Sequence, residues 1–167
     1  MPAKSLVANS TQGKSDDALV INRVFDAPRK LVFQAWTQPK HLTHWCAPHG
    51  FQVTHCNGDF REGGAWRSCM RSPEGEDLWL GGKYCEIVPN EWLIMTHMWD
   101  ADEYGPAHET LITLGFSDYE NGKTLMVFRQ ENFCSPSSRE GHAGGWQDAF
   151  ERLSDYVREM NVASKGE

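Results

Sequence analysis

No run of apolar residues in this 167-residue chain approaches the length of a membrane span, and its polar N-terminus lacks the apolar core of a signal peptide. Cysteine is sparse and unpatterned: Cys46, Cys56, Cys69, Cys85 and Cys134 make an odd number and include no CxxC pair. That argues against a disulfide framework and predicts a reducing, cytoplasmic setting. Clustered positive charge is missing too. The 16 Lys and Arg are scattered among 23 Asp and Glu, and a net charge of -7 argues against nucleic acid as a partner. No Walker, Rossmann or Ser-His-Asp signature occurs, and no cofactor is expected.

What is present has an ordinary globular composition, 40% hydrophobic and 23% charged, in a chain long enough to bury a core. Seven tryptophans stand out, because ring faces suit either a core or the wall of a pocket for a flat, greasy ligand. Residues 1–16 lack periodicity and are rich in Ser, Lys, Asn and Gln, which predicts a disordered N-terminal tail. Residues 17–162 read as a single domain and 163–167 as a C-terminal tail.

Ala18–Phe25 has β composition. Asp26 as N-cap and Pro28 in the first turn predict a short helix with Leu31, Val32, Ala35 and Trp36 on one side. Thr37 and Pro39 repeat the device for a second helix ending near Trp45. Strands are then expected over Phe51–Cys56, Ala65–Arg71, Leu78–Val88, Glu91–Trp99, His108–Phe116 and Thr124–Gln130. Turn residues separate them, with Asn121-Gly122 the clearest hairpin signal. Glu91–Trp99 is apolar on both parities and should be central or covered on both faces. Phe133–Gly145, rich in Ser, Gly and Pro, reads as a loop. Gly144–Met160 then places Trp146, Ala149, Phe150, Leu153, Tyr156, Val157 and Met160 on one stripe of a long amphipathic helix. The sum is an α+β domain: six to seven antiparallel strands around a long C-terminal helix, with two short helices after the first strand.

Several segments in this order resemble a known family. They are Phe25-Asp-Ala-Pro28, Val32-Phe33 with Ala35-Trp36, and Trp45-Cys-Ala-Pro48. Further along come Asp59-Phe-Arg61-Glu-Gly63-Gly64, Gly82-Lys-Tyr84-Cys-Glu86-Ile87, Gly122-Lys-Thr124-Leu and His142-Ala-Gly-Gly145-Trp146. From about Val20 to Val157 the chain is similar to the activator-of-Hsp90-ATPase-homologue (AHSA1-like) branch of the START-like, or SRPBCC, superfamily. The resemblance implies the helix-grip (START/Bet v 1-like) fold, a curved antiparallel sheet holding the C-terminal helix, with a cavity for hydrophobic ligands between them. Glu62 departs from the family's frequent proline and Cys46 from its frequent second tryptophan. The chaperone-binding domain of the eukaryotic activator has no counterpart in this sequence.

Trp36, Trp45, Trp66 and Trp146 are the expected pocket wall, with a plain aromatic core as the alternative for Trp36. Met70 shares a strand face with Trp66 and Ser68. The inward face of the last two strands offers Thr110, Ile112, Leu114, Phe116, Met126 and Phe128, with His108 and Gln130 near the strand ends either orienting a ligand or lying in water. His97, sharing parity with Leu93, Met95 and Trp99, is either a satisfied structural histidine or a tunable base. Phe150 and Leu153 would face ligand or core. His41, His44, Cys46, His49, His55 and Cys56 cluster in sequence but lack a recurrent metal-ligand spacing, so no metal site is expected.

These readings predict a single domain that binds a small hydrophobic or aromatic molecule, and they leave a homodimer open. Two other readings share the scaffold: a cyclase-, dehydrase- or hydrolase-type enzyme, and a protein-interaction, co-chaperone-like module.

Overall fold

The computed structural model describes residues 17–103 and 105–166. The expected tail over 1–16 lies outside the described residues. Seven antiparallel strands form one sheet in the order β1-β7-β6-β5-β4-β3-β2. They are β1 (Leu19–Phe25), β2 (Gln52–Gly58), β3 (Ala65–Arg71), β4 (Asp77–Val88), β5 (Trp92–Trp99), β6 (His108–Tyr119) and β7 (Lys123–Glu131). Sequential strands from β2 to β7 pair as hairpins, and β7 closes on β1. β1 and β2 are therefore opposite edges, joined by the short helices α1 (Arg29–Thr37) and α2 (Pro39–Trp45). β5 is the middle strand of seven, which accounts for its apolar residues on both parities. Leu93 and Met95 join the main core, while Trp92 and Ile94 pack with Val88 and Leu111 on the other face. The long helix α3 (Pro136–Lys165) completes the helix-grip fold.

Three local expectations need correction. Asp26 and Thr37 do not cap α1 and α2: the N-cap residues are Pro28 and Gln38, and neither makes a side-chain cap bond. Thr37 instead donates its hydroxyl back to the Phe33 carbonyl at 2.9 Å, inside the helix it ends. The segment read as a loop over Phe133–Gly145 is largely helical. α3 starts eight residues before Gly144, where Ser135 accepts a bond from the Ser138 N–H at 3.0 Å and Pro136 occupies the first turn. That cap-and-proline pair outweighs the three glycines that follow it. α3 runs on to Lys165.

The turn Asp59–Gly64 docks on β4, with Gly63 N–H on the Tyr84 carbonyl at 2.7 Å and Tyr84 N–H on the Gly64 carbonyl at 2.9 Å. Gly64 must lack a side chain, since a Cβ there would meet the Asp59 carbonyl oxygen. Glu62, the family departure, anchors this turn by accepting a bond from the Ile87 N–H at 3.0 Å. Asn121 and Gly122 both adopt the left-handed region, as their hairpin turn between β6 and β7 requires.

Candidate functional site

The space between sheet and α3 is filled at one end and hollow at the other. Beneath β6, β7 and β1, the second half of α3 packs Phe150, Leu153 and Val157 into a closed core. Five rings interlock there: Trp36 lies 4.8 Å from Trp45, Phe128 lies 4.9 Å from Trp146, and Phe150 lies 5.3 Å from Phe128 and 5.4 Å from Trp146. Their polar atoms are used internally, as Trp45 Nε1 donates to the Ala35 carbonyl and Trp36 Nε1 to Met126 Sδ.

Beneath β2 to β5 a cavity of about 430 Å³ opens instead. Strand parity builds its floor. Trp66, Ser68 and Met70 come from β3, Leu78, Leu80 and Tyr84 from β4, and Met95, His97 and Trp99 from β5. Its roof is the first half of α3, where Ser138, Gly141, His142, Gly145 and Ala149 fall on one helical stripe. All but His142 of these are small, so they leave the space beneath this half of the helix unfilled. The side chain that a residue at 141 would add meets nothing within 4 Å. Leu42 of α2 and the segment after it, with Cys46, Ala47, Pro48 and Phe51, form the remaining wall.

That segment is latched to α3. Arg152 Nη1 donates to the carbonyls of Ala47 at 2.8 Å, Pro48 at 3.1 Å and Phe51 at 3.1 Å, and Nη2 reaches the His44 carbonyl at 3.4 Å. His49 adds a 2.9 Å contact to Glu151. On the same pair of helices His41 Nδ1 lies 2.7 Å from the Tyr156 hydroxyl, and His44 stacks on that ring.

Polar groups of the cavity sit at its β5 end. Trp99 Nε1 donates to His142 Nε2 at 3.0 Å, and His142 Nδ1 donates to the Ser138 carbonyl at 2.7 Å. Because an indole only donates, His142 is fixed as the neutral tautomer protonated on Nδ1. Burial also pushes its pKa down. A second chain of bonds runs from Trp146 Nε1 to Gln130 Oε1, from Gln130 Nε2 to Thr110 Oγ1, and from Thr110 Oγ1 to the His97 carbonyl. His97 itself is 4% exposed, with ring centres of Trp66, Trp99, His142 and Trp146 within 6.0 Å. Burial, aided by His142, pushes its pKa down to about 3. Its Nδ1 and Trp66 Nε1 are buried without a hydrogen-bond partner among the described residues. Cys46 and Tyr84, also on the wall, are pushed up to about 12 chiefly by burial, so both stay protonated.

Of the residues singled out in the sequence, Trp36, Trp66, Met70, His97, Trp99 and Trp146 line the cavity. Trp45, Ile112, Leu114, Met126, Phe128, Phe150 and Leu153 lie in the filled core, and His108 is exposed at the strand end, bonded to the Asn132 carbonyl. The face beneath β6 and β7 is covered by the bulky stretch of α3. Sequence reasoning missed Ser138, Gly141 and His142, having placed them in a loop before the helix. Ser135-Pro136 was the signal that would have brought them onto it. No group of three or more His, Cys, Asp or Glu among the described residues could hold a metal ion, and no helix there is long and apolar enough to cross a membrane.

The family model described as activator of Hsp90 ATPase homolog 1-like protein matches residues 26–158. A protein of Chromobacterium violaceum is 28% identical with a TM-score of 0.75, covering 85% of this chain and 97% of that one. An AHSA1 protein of Silicibacter pomeroyi is 20% identical with a TM-score of 0.76, covering 86% and 99%. A protein of Nitrosomonas europaea, 22% identical with a TM-score of 0.75 and covering 89% and 98%, shares the fold as well. No curated protein matches the sequence.

Proposed function

We propose a binding function from one premise: this chain belongs to the activator of Hsp90 ATPase homolog 1-like family. Its task is to hold a small hydrophobic or aromatic molecule in the space between sheet and α3. The observation that carries this reading is the unequal filling of that space. A helix that packs tightly along its second half and presents Ser138, Gly141 and Gly145 along its first leaves an apolar-walled volume of about 430 Å³, within the range of small-molecule sites. Tight filling is what a purely structural sheet–helix interface would reach.

The alternative of acid–base catalysis in the same cavity finds less support. His97, the candidate base, is held neutral far below the range in which an imidazole abstracts protons well near pH 7. His142 has both ring nitrogens engaged.

Four of the wall residues are tryptophans, Trp36, Trp66, Trp99 and Trp146, so occupancy should be visible in intrinsic fluorescence. Titration with a panel of lipids and polycyclic aromatics is expected to give saturable quenching for the aromatics. Absence of saturable quenching across the whole panel would sink the binding reading.

A further inference from the structure

We propose that the free edge of β1 is a self-association site: two copies of this chain pair β1 with β1 antiparallel, about a two-fold axis at Asn22, and continue one sheet across both. This stands apart from the binding reading above, because β1 lies at the end of the sheet away from the cavity beneath β2 to β5.

The sheet has two edges and treats them differently. β2 is blunted in ways that discourage pairing: its register shifts between Val53 and His55, it ends on Gly58, and α2 packs against it. β1 has none of these guards. It pairs with β7 in unbroken register from Leu19 to Phe25 and contains neither proline nor glycine. Among the described residues, no hydrogen bond joins its backbone to any element but β7. A regular edge strand presents backbone N–H and C=O groups along its open side, and a matching strand satisfies them.

The side chains say which strand matches. Val20, Asn22 and Val24 alternate on the outer face, and the two valines are 50% and 38% exposed. Antiparallel pairing centred on Asn22 sets Val20 of each copy against Val24 of the other, Leu19 against Phe25, and Ile21 against Arg23. The neighbouring registers that keep each face on its own side match less well. Centred on Ile21, Val20 faces Asn22; centred on Arg23, the only charged side chain of the strand meets its own copy. Two-fold symmetry makes each favourable contact occur twice.

Sedimentation velocity on the full chain, from low to high micromolar concentration, reads the dimer directly. A concentration-dependent equilibrium between monomer and dimer is expected. Val24→Lys should weaken it about tenfold, since one substitution removes two valine pairs and places a lone charge in each. Adding Val20→Glu to Val24→Lys should restore the dimer, because each lysine then faces a glutamate across the axis. Adding Val20→Lys instead should abolish it. Both sites are exposed, and far-UV circular dichroism checks that each variant keeps the fold. The two double variants differ only in the charge at residue 20, so comparing them isolates the contact across the axis. Equal dissociation constants for those two overturn the pairing, as does a chain that is monomeric at every concentration. In the latter case, a dimer produced by removing residues 1–16 would assign the edge to that segment instead.

Discussion

At His97 the demands of burial and of protonation collide. In the unfolded chain its imidazole titrates near 6.5, whereas in the fold burial and His142 bring this down to about 3. Between those values the unfolded state carries the proton and the folded state does not. Stability is therefore undiminished above the upper value and falls as pH drops through the window towards the lower one. Urea unfolding midpoints measured across that window should decline for the unaltered protein and decline less steeply for His97→Leu. The residual slope includes His142, whose burial shifts it the same way, and Asp77 and Asp100, whose arginine partners lower their pKa values. Identical slopes for variant and parent would mean that the histidine is not held neutral.

The long helix divides into two working parts. Its second half makes the core, and from that half Arg152 reaches out to hold the segment from His44 to Phe51 against the cavity mouth. Carbonyls deprived of a charged donor lose bonds that a neighbouring side chain cannot replace. Arg152→Ala is expected to destabilise the protein by about 1–3 kcal/mol. It should also speed amide hydrogen exchange over residues 44–51 while leaving β6 and β7 protected. Arg152→Lys should not rescue the effect, since an ammonium lacks the guanidinium fork. Unchanged exchange over 44–51 would refute the latch. The second half of this helix was plain in the sequence, because Phe150, Leu153 and Val157 repeat at helical spacing. Its first half was obscured: Gly141, Gly144 and Gly145 are poor helix formers, and tertiary context with one Ser-Pro start overrode them.

In the whole molecule, stability and site occupy different halves of one interface. Phe150→Ala would open a void among five packed rings and should cost about 3–5 kcal/mol. Leu80→Ala removes a side chain that already borders open space, so less contact is lost and the cost should fall well below that of Phe150→Ala. Chemical denaturation of the two variants tests the division, and equal losses would argue that the floor of the cavity is as tightly supported as the core. The succession of strands and helices along the chain was legible, since alternation and turn residues report on single elements, and the apolar residues of β5 on both parities left a central or a doubly covered place for it. Which half of the sheet would be left uncovered was not legible. That depends on where along the sheet the bulky and the small stretches of α3 land, a relation between distant segments that periodicity does not encode.

The glycines at 141 and 145 have one more consequence. Within a helix each sacrifices up to about 1 kcal/mol relative to alanine. Neither would be obstructed by a methyl group, since the nearest neighbour of an added Cβ at 145 is Pro48 at 3.6 Å and at 141 there is none. Drift towards a sturdier helix is thus open at both sites, and each step along it shrinks the chamber below. Robustness and open volume are set against each other at two positions, and since glycine is already the smallest residue, change at either can only narrow the chamber.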